Sequence, residues 1–186
     1  MQAFDYLSVL LSIVLGLGIT QLLSAFARWL ELRREIKPYA PSALWAGFLL
    51  LVHVQTWWAM FALRGVRDWN FLEFTVVLLQ PILLFLLASL ALPGPQSTER
   101  DMRAHFFAHR LWFFWIFLAV LVVSLSKDLV IAGVLPTPLN LAFHGALFAC
   151  GVTALSSRGP LVQLASATSA LALMVLYIGV LFANLG

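Results

Sequence analysis

The run LLLVHVQTWW, residues 49–58, sets His53 and Gln55 inside a stretch with no charged residue between Pro38 and Leu63. Gln80, beside Pro81, and His144 hold comparable places in two further apolar runs. An ionisable group in hydrocarbon costs several kcal/mol if it is charged and unpaired, so an imidazole there should be neutral, turned to the protein interior and hydrogen-bonded. One chemistry open to such groups is a substrate or proton site, in which a histidine titrating near neutrality relays protons or fixes a ligand. Another is b-type haem, with His53 and His144 as axial ligands from different helices. The third reading is plain interhelical bonding, worth about 0.6 kcal/mol per contact.

Nearer the ends of the runs, AHFFAHR places His105 and His109 four apart on one helical face, the spacing of a two-histidine metal site. The glutamate of a zinc-protease motif is missing, because Phe106, Phe107 and Ala108 intervene, and no third ligand stands out beyond Glu99 or Asp101. The expectation is therefore no metal. With Arg103 and Arg110 alongside, this face suits anionic lipid or a carboxylate of a neighbouring loop. Asp5, Glu73, Lys127 and Asp128, with Asn140 and Asn184 at similar depth, are expected to form a rim at the opposite end. Ser124, Lys127 and Asp128 share one face of a helix that continues as LVIAGVL, which would draw the charge pair below the loop level. No G-x-S-x-G turn presents a serine nucleophile, so a Ser-His-Asp hydrolase finds no support.

The elements that must position these groups follow from composition. Of 186 residues, 62% are hydrophobic and 10% charged, and mean hydropathy is +0.98, against about 25% charge in a soluble domain. Helices are predicted over 6–30, 43–63, 71–92, 106–127, 138–155 and 160–184, each close to the ~20 apolar residues a crossing needs. Backbone groups in lipid must be satisfied within the segment, and the alternating pattern of barrel strands is absent. The expectation is an all-α polytopic bundle of six transmembrane helices, residues 1–186 forming one domain, with the lipid bilayer as its first partner. No basic leader with a cleavage site precedes the first run, so that helix is expected to stay. The single cysteine, Cys150, offers neither a disulfide framework nor a thiolate metal site.

Eight of the eleven lysines and arginines lie after the first, third and fifth helices: Arg28, Arg33, Arg34 and Lys37, then Arg100, Arg103 and Arg110, then Arg158. Arg64, Arg67 and Lys127 lie opposite. Cytoplasmic loops are enriched in such residues, which predicts both termini on the outer side of an inner membrane. It also accounts for the basic pI near 9.5 without nucleic acid. Pro93, Gly94 and Pro95 end the third helix, and QSTERD reads as the start of a short helical loop capped by Ser97 or Thr98.

Small residues at Ser8, Ser12, Gly16, Thr20 and Ser24 recur every four positions and read as a packing seam. HGALFACG and LASATSALA suggest that the last two helices form much of the core. Trp29, Trp45, Trp112 and Trp115 read as anchors at one interface and Trp69 at the other, while Trp57 and Trp58 could line a cavity near His53 or simply fill space. The chain resembles six-helix b-type cytochromes in helix number, but those carry histidines on four central helices, and here two helices bear them at depth. Taken together, FDYLSVLLSIVLGLGITQLL, HVQTWW and RAHFFAHRLWFF resemble small multi-pass bacterial inner-membrane proteins over most of the chain, a likeness that implies no activity, cofactor or catalytic residue. Translocation of a small solute or proton through His53, Gln55, Gln80 and His144 is the leading expectation. A non-catalytic sensor, scaffold or accessory subunit, as a homo-oligomer or with a membrane-protein partner, is the alternative from another class.

Overall fold

A computed structural model describes residues 3–66, 69–94 and 96–181; Arg67, Pro95 and Asn184 of the sequence reading, and the predicted last residues of the sixth helix, lie outside them. The described residues form six helices: α1 Ala3–Glu31, α2 Ala40–Ala59, α3 Phe71–Ala91, α4 Met102–Ala132, α5 Pro138–Ser156 and α6 Pro160–Leu181. A 3-10 turn, Met60–Gly65, continues α2. All six segments are long and apolar enough to cross a membrane, so the fold is compatible with a multi-pass integral membrane protein.

Helix ends follow local chemistry. Asn70 and Glu73 start α3 with a capping box, each side chain taking the other's backbone N–H, so two otherwise orphan donors are satisfied. Asp101 caps α4 by accepting from the amides of Arg103 and Ala104. Gly133, at φ 64°, ends α4 in the left-handed conformation that glycine reaches without strain.

The neighbours define a ring, in the order α1, α3, α4, α5, α6, α2 and back to α1, which a further α2–α3 contact divides in two. One side is the tight triangle α1–α2–α3. The other, enclosed by α2, α3, α4, α5 and α6, is wider. Near the ends where α2 and α4 begin, Trp45 stands edge-on to Phe48, Phe113, Phe114 and Phe117 with ring centroids 5.2–5.7 Å apart. Such edge-to-face pairs add roughly 0.5–1.5 kcal/mol each beyond burial. Gly151 on α5 lets the Phe117 ring approach its backbone, since a Cβ there would meet ring carbons at 2.8 and 2.9 Å.

On that same face the backbone of Lys37 exchanges hydrogen bonds with Arg100 and Met102, 2.8 and 3.2 Å, and Arg100 pairs with Glu35 at 3.3 Å. Arg28, buried, donates to the carbonyls of Ser97 and Glu99. These bonds correct the expected helical loop. Residues 97–100 are not helical, because the carboxylate of Glu99 takes the amides of Arg100 and Asp101 and the backbone amide of Lys37 donates to the Arg100 carbonyl. Asp101, rather than Ser97 or Thr98, is the cap.

Two packing expectations also change. The buried face of α1 is Leu11, Leu15, Leu22 and Ala25, with Gly18 among them, and not the small-residue stripe. Thr20 and Ser8 turn their hydroxyls back onto the carbonyls of Gly16 and Asp5, so their face needs no partner helix, and nothing lies within 4 Å of a Cβ built on Gly16. Trp45, expected as an interfacial anchor, is 0% exposed, held by the four phenylalanine rings; Trp112 and Trp115 do point outward.

Candidate functional site

The wide side of the ring holds a cavity of about 400 Å³ at the face where α3 and α5 begin and α4 ends. Its polar lining comes from Gln55 and Thr56 of α2, Gln80 of α3, Ser124, Lys127 and Asp128 of α4, Asn140 of α5 and Tyr177 of α6. A smaller chamber of about 40 Å³ shares Gln55, Gln80, Ser124 and Tyr177 with it, adds His144, and reaches Phe48 and Phe117. A polar mouth thus narrows through a polar collar to an aromatic floor.

The collar's geometry starts from local helix chemistry. His144 lies one turn after Asn140, and its Nδ1 meets the Asn140 carbonyl at 3.0 Å. A carbonyl only accepts, so the neutral ring carries its proton on Nδ1 and leaves Nε2 as the acceptor. The hydroxyl of Ser124 on α4 donates to that Nε2 at 3.2 Å. Tyr177 on α6 donates to Oδ1 of Asn140 at 3.2 Å and meets the His144 ring edge-on, centroids 6.0 Å apart. One histidine turn therefore ties α4, α5 and α6 together around the cavity.

Across from it, Gln80 is 4% exposed and donates through Nε2 to Thr56 Oγ1 at a long 3.5 Å. Its Oε1 is buried without a hydrogen-bond partner, which in a dry site costs about 1–3 kcal/mol. Pro81 also lines the cavity. It lacks the N–H that Val77 would otherwise receive one turn back, so the carbonyl of Val77, another lining residue, is deprived of its helical donor.

His53 is not part of this site. It is 0% exposed, its Nδ1 bonds the Leu49 carbonyl at 2.7 Å, and its Nε2, without a hydrogen-bond partner, presses on Gly18 of α1. The ring belongs to the tight triangle. His53 and His144 thus turn their Nε2 atoms to different helices, α1 and α4, and do not face each other as a haem-clamping pair would. Trp57 and Trp58 line neither chamber.

The expected rim separates in the same way. Lys127 and Asp128 line the mouth, within α4 rather than beyond it, because that helix runs on to Ala132. Glu73 is spent on the cap of α3, and Asp5 is exposed at the start of α1. Neither lines the cavity.

The expected basic lipid-binding face changes as well. Arg110 is 5% exposed and donates through Nη1 to the carbonyls of Ala154, Leu155 and Ser157 at 2.8, 2.5 and 3.1 Å, where α5 ends and its last carbonyls lack helical partners. Gln163 adds bonds to the Ala154 and Ser157 carbonyls. Arg103 remains exposed. His105 and His109 stack at 4.4 Å between centroids, with His109 Nδ1 on the His105 carbonyl. Among the described residues no three His, Cys, Asp or Glu side chains converge as metal ligands. Nearby, burial pushes the Tyr39 hydroxyl above its ordinary pKa, while the Arg103 guanidinium pulls the other way.

Ser124, Asn140 and Tyr177 are the collar members that sequence reasoning left out of its central site. The four-residue step from Asn140 to His144 was visible; the pairing of α4 and α6 with that turn was not. Comparisons with protein-family models, with curated proteins and with solved structures gave no match for this chain.

Proposed function

We propose that this chain is an inner-membrane protein with both termini outside, whose outward-facing vestibule admits a small polar solute as the first stage of translocation. The observation that carries the reading is a polar cavity built by five helices and closed at its inner end by aromatic rings. A bundle held together by interhelical bonds alone has no need for an open cavity with polar groups on its wall. The basic loops on the closed face support the orientation, since cytoplasmic loops carry such residues.

In this reading Gln55, Gln80 and His144, with Ser124 and Tyr177, form the binding collar. The rings of Phe48 and Phe117 are the barrier that must move for passage. His53 supports the fold from the other side of α2.

Access from one side is the test. In a Cys150→Ala background, Ala59→Cys places a thiol on the cavity wall. A membrane-impermeant thiosulfonate should reach it from the outer side of sealed, oriented vesicles and not from the inner side. Phe117→Ala should open a path and add reaction from the inner side. Protection from both sides in the parent would remove the vestibule, and reaction from the inner side alone would invert the topology.

A further inference from the structure

We propose that the vestibule recognises a zwitterion, a small molecule carrying a carboxylate and an ammonium close together beside an apolar group, the chemistry of a neutral α-amino acid. The inference rests on the vestibule reading and names its ligand class.

The two charges on the cavity wall are Lys127 and Asp128, consecutive residues of α4. Both are half-buried, and although each lies in the other's field, neither closes an ion pair among the described residues, where the pair found is Arg100 with Glu35. Charges withdrawn from bulk water need compensation. A purely anionic ligand on Lys127 would meet the carboxylate of Asp128, and a purely cationic one on Asp128 would meet the ammonium of Lys127. A zwitterion compensates both at once, and the lining charges sum to zero as its own do.

The opposite wall selects the same class. Gln80 Oε1 is a buried acceptor with no donor, and the Val77 carbonyl has lost its helical donor to Pro81. Acceptors on α3 and the carboxylate of Asp128 together suit an ammonium, whose three N–H groups need three acceptors. The hydroxyl of Thr56, whose oxygen accepts from Gln80 and whose proton is still available, and the ammonium of Lys127 suit a carboxylate. The rest of the wall, including Met60, Leu63 and Ile131, is apolar and can take a hydrocarbon side chain. The volume of about 400 Å³ lies at the small end of ligand sites, roughly 300–1,000 Å³.

Protection of the Ala59→Cys thiol, in the Cys150→Ala chain, measures occupancy. The probes are L-alanine, L-leucine and L-phenylalanine, each beside its decarboxylated amine and its deaminated carboxylate, with glycerophosphoethanolamine as the soluble form of a zwitterionic lipid headgroup. At least one amino acid should slow thiosulfonate labelling at concentrations where its amine and its carboxylate, ten-fold higher, do not. Lys127→Met should shift preference toward the amine, and Asp128→Asn toward the carboxylate.

Equal protection by a singly charged counterpart, protection by the headgroup alone, or protection by none of the amino acids would each overturn the zwitterion. These results leave the vestibule in place so long as the thiol still reacts from one side. A thiol that cannot be reached from either side would instead remove the vestibule itself.

Discussion

The imidazole of His53 fills the space that a side chain on Gly18 would need. A Cβ there would overlap Nε2 and stand 2.9 Å from Cδ2, and the ring cannot swing away easily because it is fully buried and its Nδ1 is bonded to the Leu49 carbonyl. Gly18→Ala should therefore destabilise the fold by about 1–3 kcal/mol through overpacking. Gly47, with nothing within 4 Å of its Cβ position, is the control: Gly47→Ala should be neutral or stabilising by up to ~1 kcal/mol. Thermal unfolding in detergent compares the two, and equal stability would refute the tight α1–α2 contact.

The two deep histidines should part company when each is replaced by leucine. His53→Leu keeps volume, removes an acceptor that has no donor, and gives up one bond to a carbonyl already within a helix. Stability should stay within about 1 kcal/mol, with amino-acid protection of the cavity thiol unchanged. His144→Leu strips the Ser124 and Asn140 bonds and should weaken that protection at least ten-fold. Loss of protection in both variants would place His53 back in the site.

Arg110 and Arg103 lie seven residues apart and should behave as different kinds of residue. Arg110→Ala removes the guanidinium from three carbonyls at the end of α5, leaving those of Ala154 and Ser157 to Gln163 alone, and should lower stability by about 1.5–3 kcal/mol, the range for bonds to a charged donor. Arg103→Ala removes an exposed side chain and should change stability by less than ~0.5 kcal/mol. Chemical denaturation in mixed micelles reads the difference.

Glu73 belongs to a helix cap in this fold. Glu73→Gln retains an acceptor for the Asn70 amide and should leave stability and solute protection unaltered. Glu73→Ala should cost about 0.3–1.5 kcal/mol, with protection still intact. A ligand affinity that fell with Glu73→Gln would return this carboxylate to the rim.

How much of this was legible beforehand varies residue by residue. The span of α3, expected over 71–92 and found as Phe71–Ala91, could be read from an apolar run with Asn70 and Glu73 at its start. The extension of α4 to Ala132 was foreshadowed by the apolar residues after Asp128. The early start of α4 at Met102 escaped notice because Ser97 and Asp101 are both good caps, and only the tie between Lys37 and Arg100 decides between them.

The rotation of each helix about its axis was the hidden quantity. A helix in water has a polar face to mark its outside, but α1 and α2 are apolar nearly all round, so a four-residue stripe such as Ser8 to Ser24 and the line Leu11 to Ala25 are equally plausible seams. The chain's chemistry alone determined six helices long and apolar enough to cross a membrane and a basic end, because hydrocarbon leaves the backbone only helices or closed barrels and the alternating pattern of barrel strands is absent. Tertiary packing decided that His53 presses on Gly18 while His144 opens onto a cavity with Ser124, since those directions depend on which neighbours fit side by side and on no property that either histidine's own helix records.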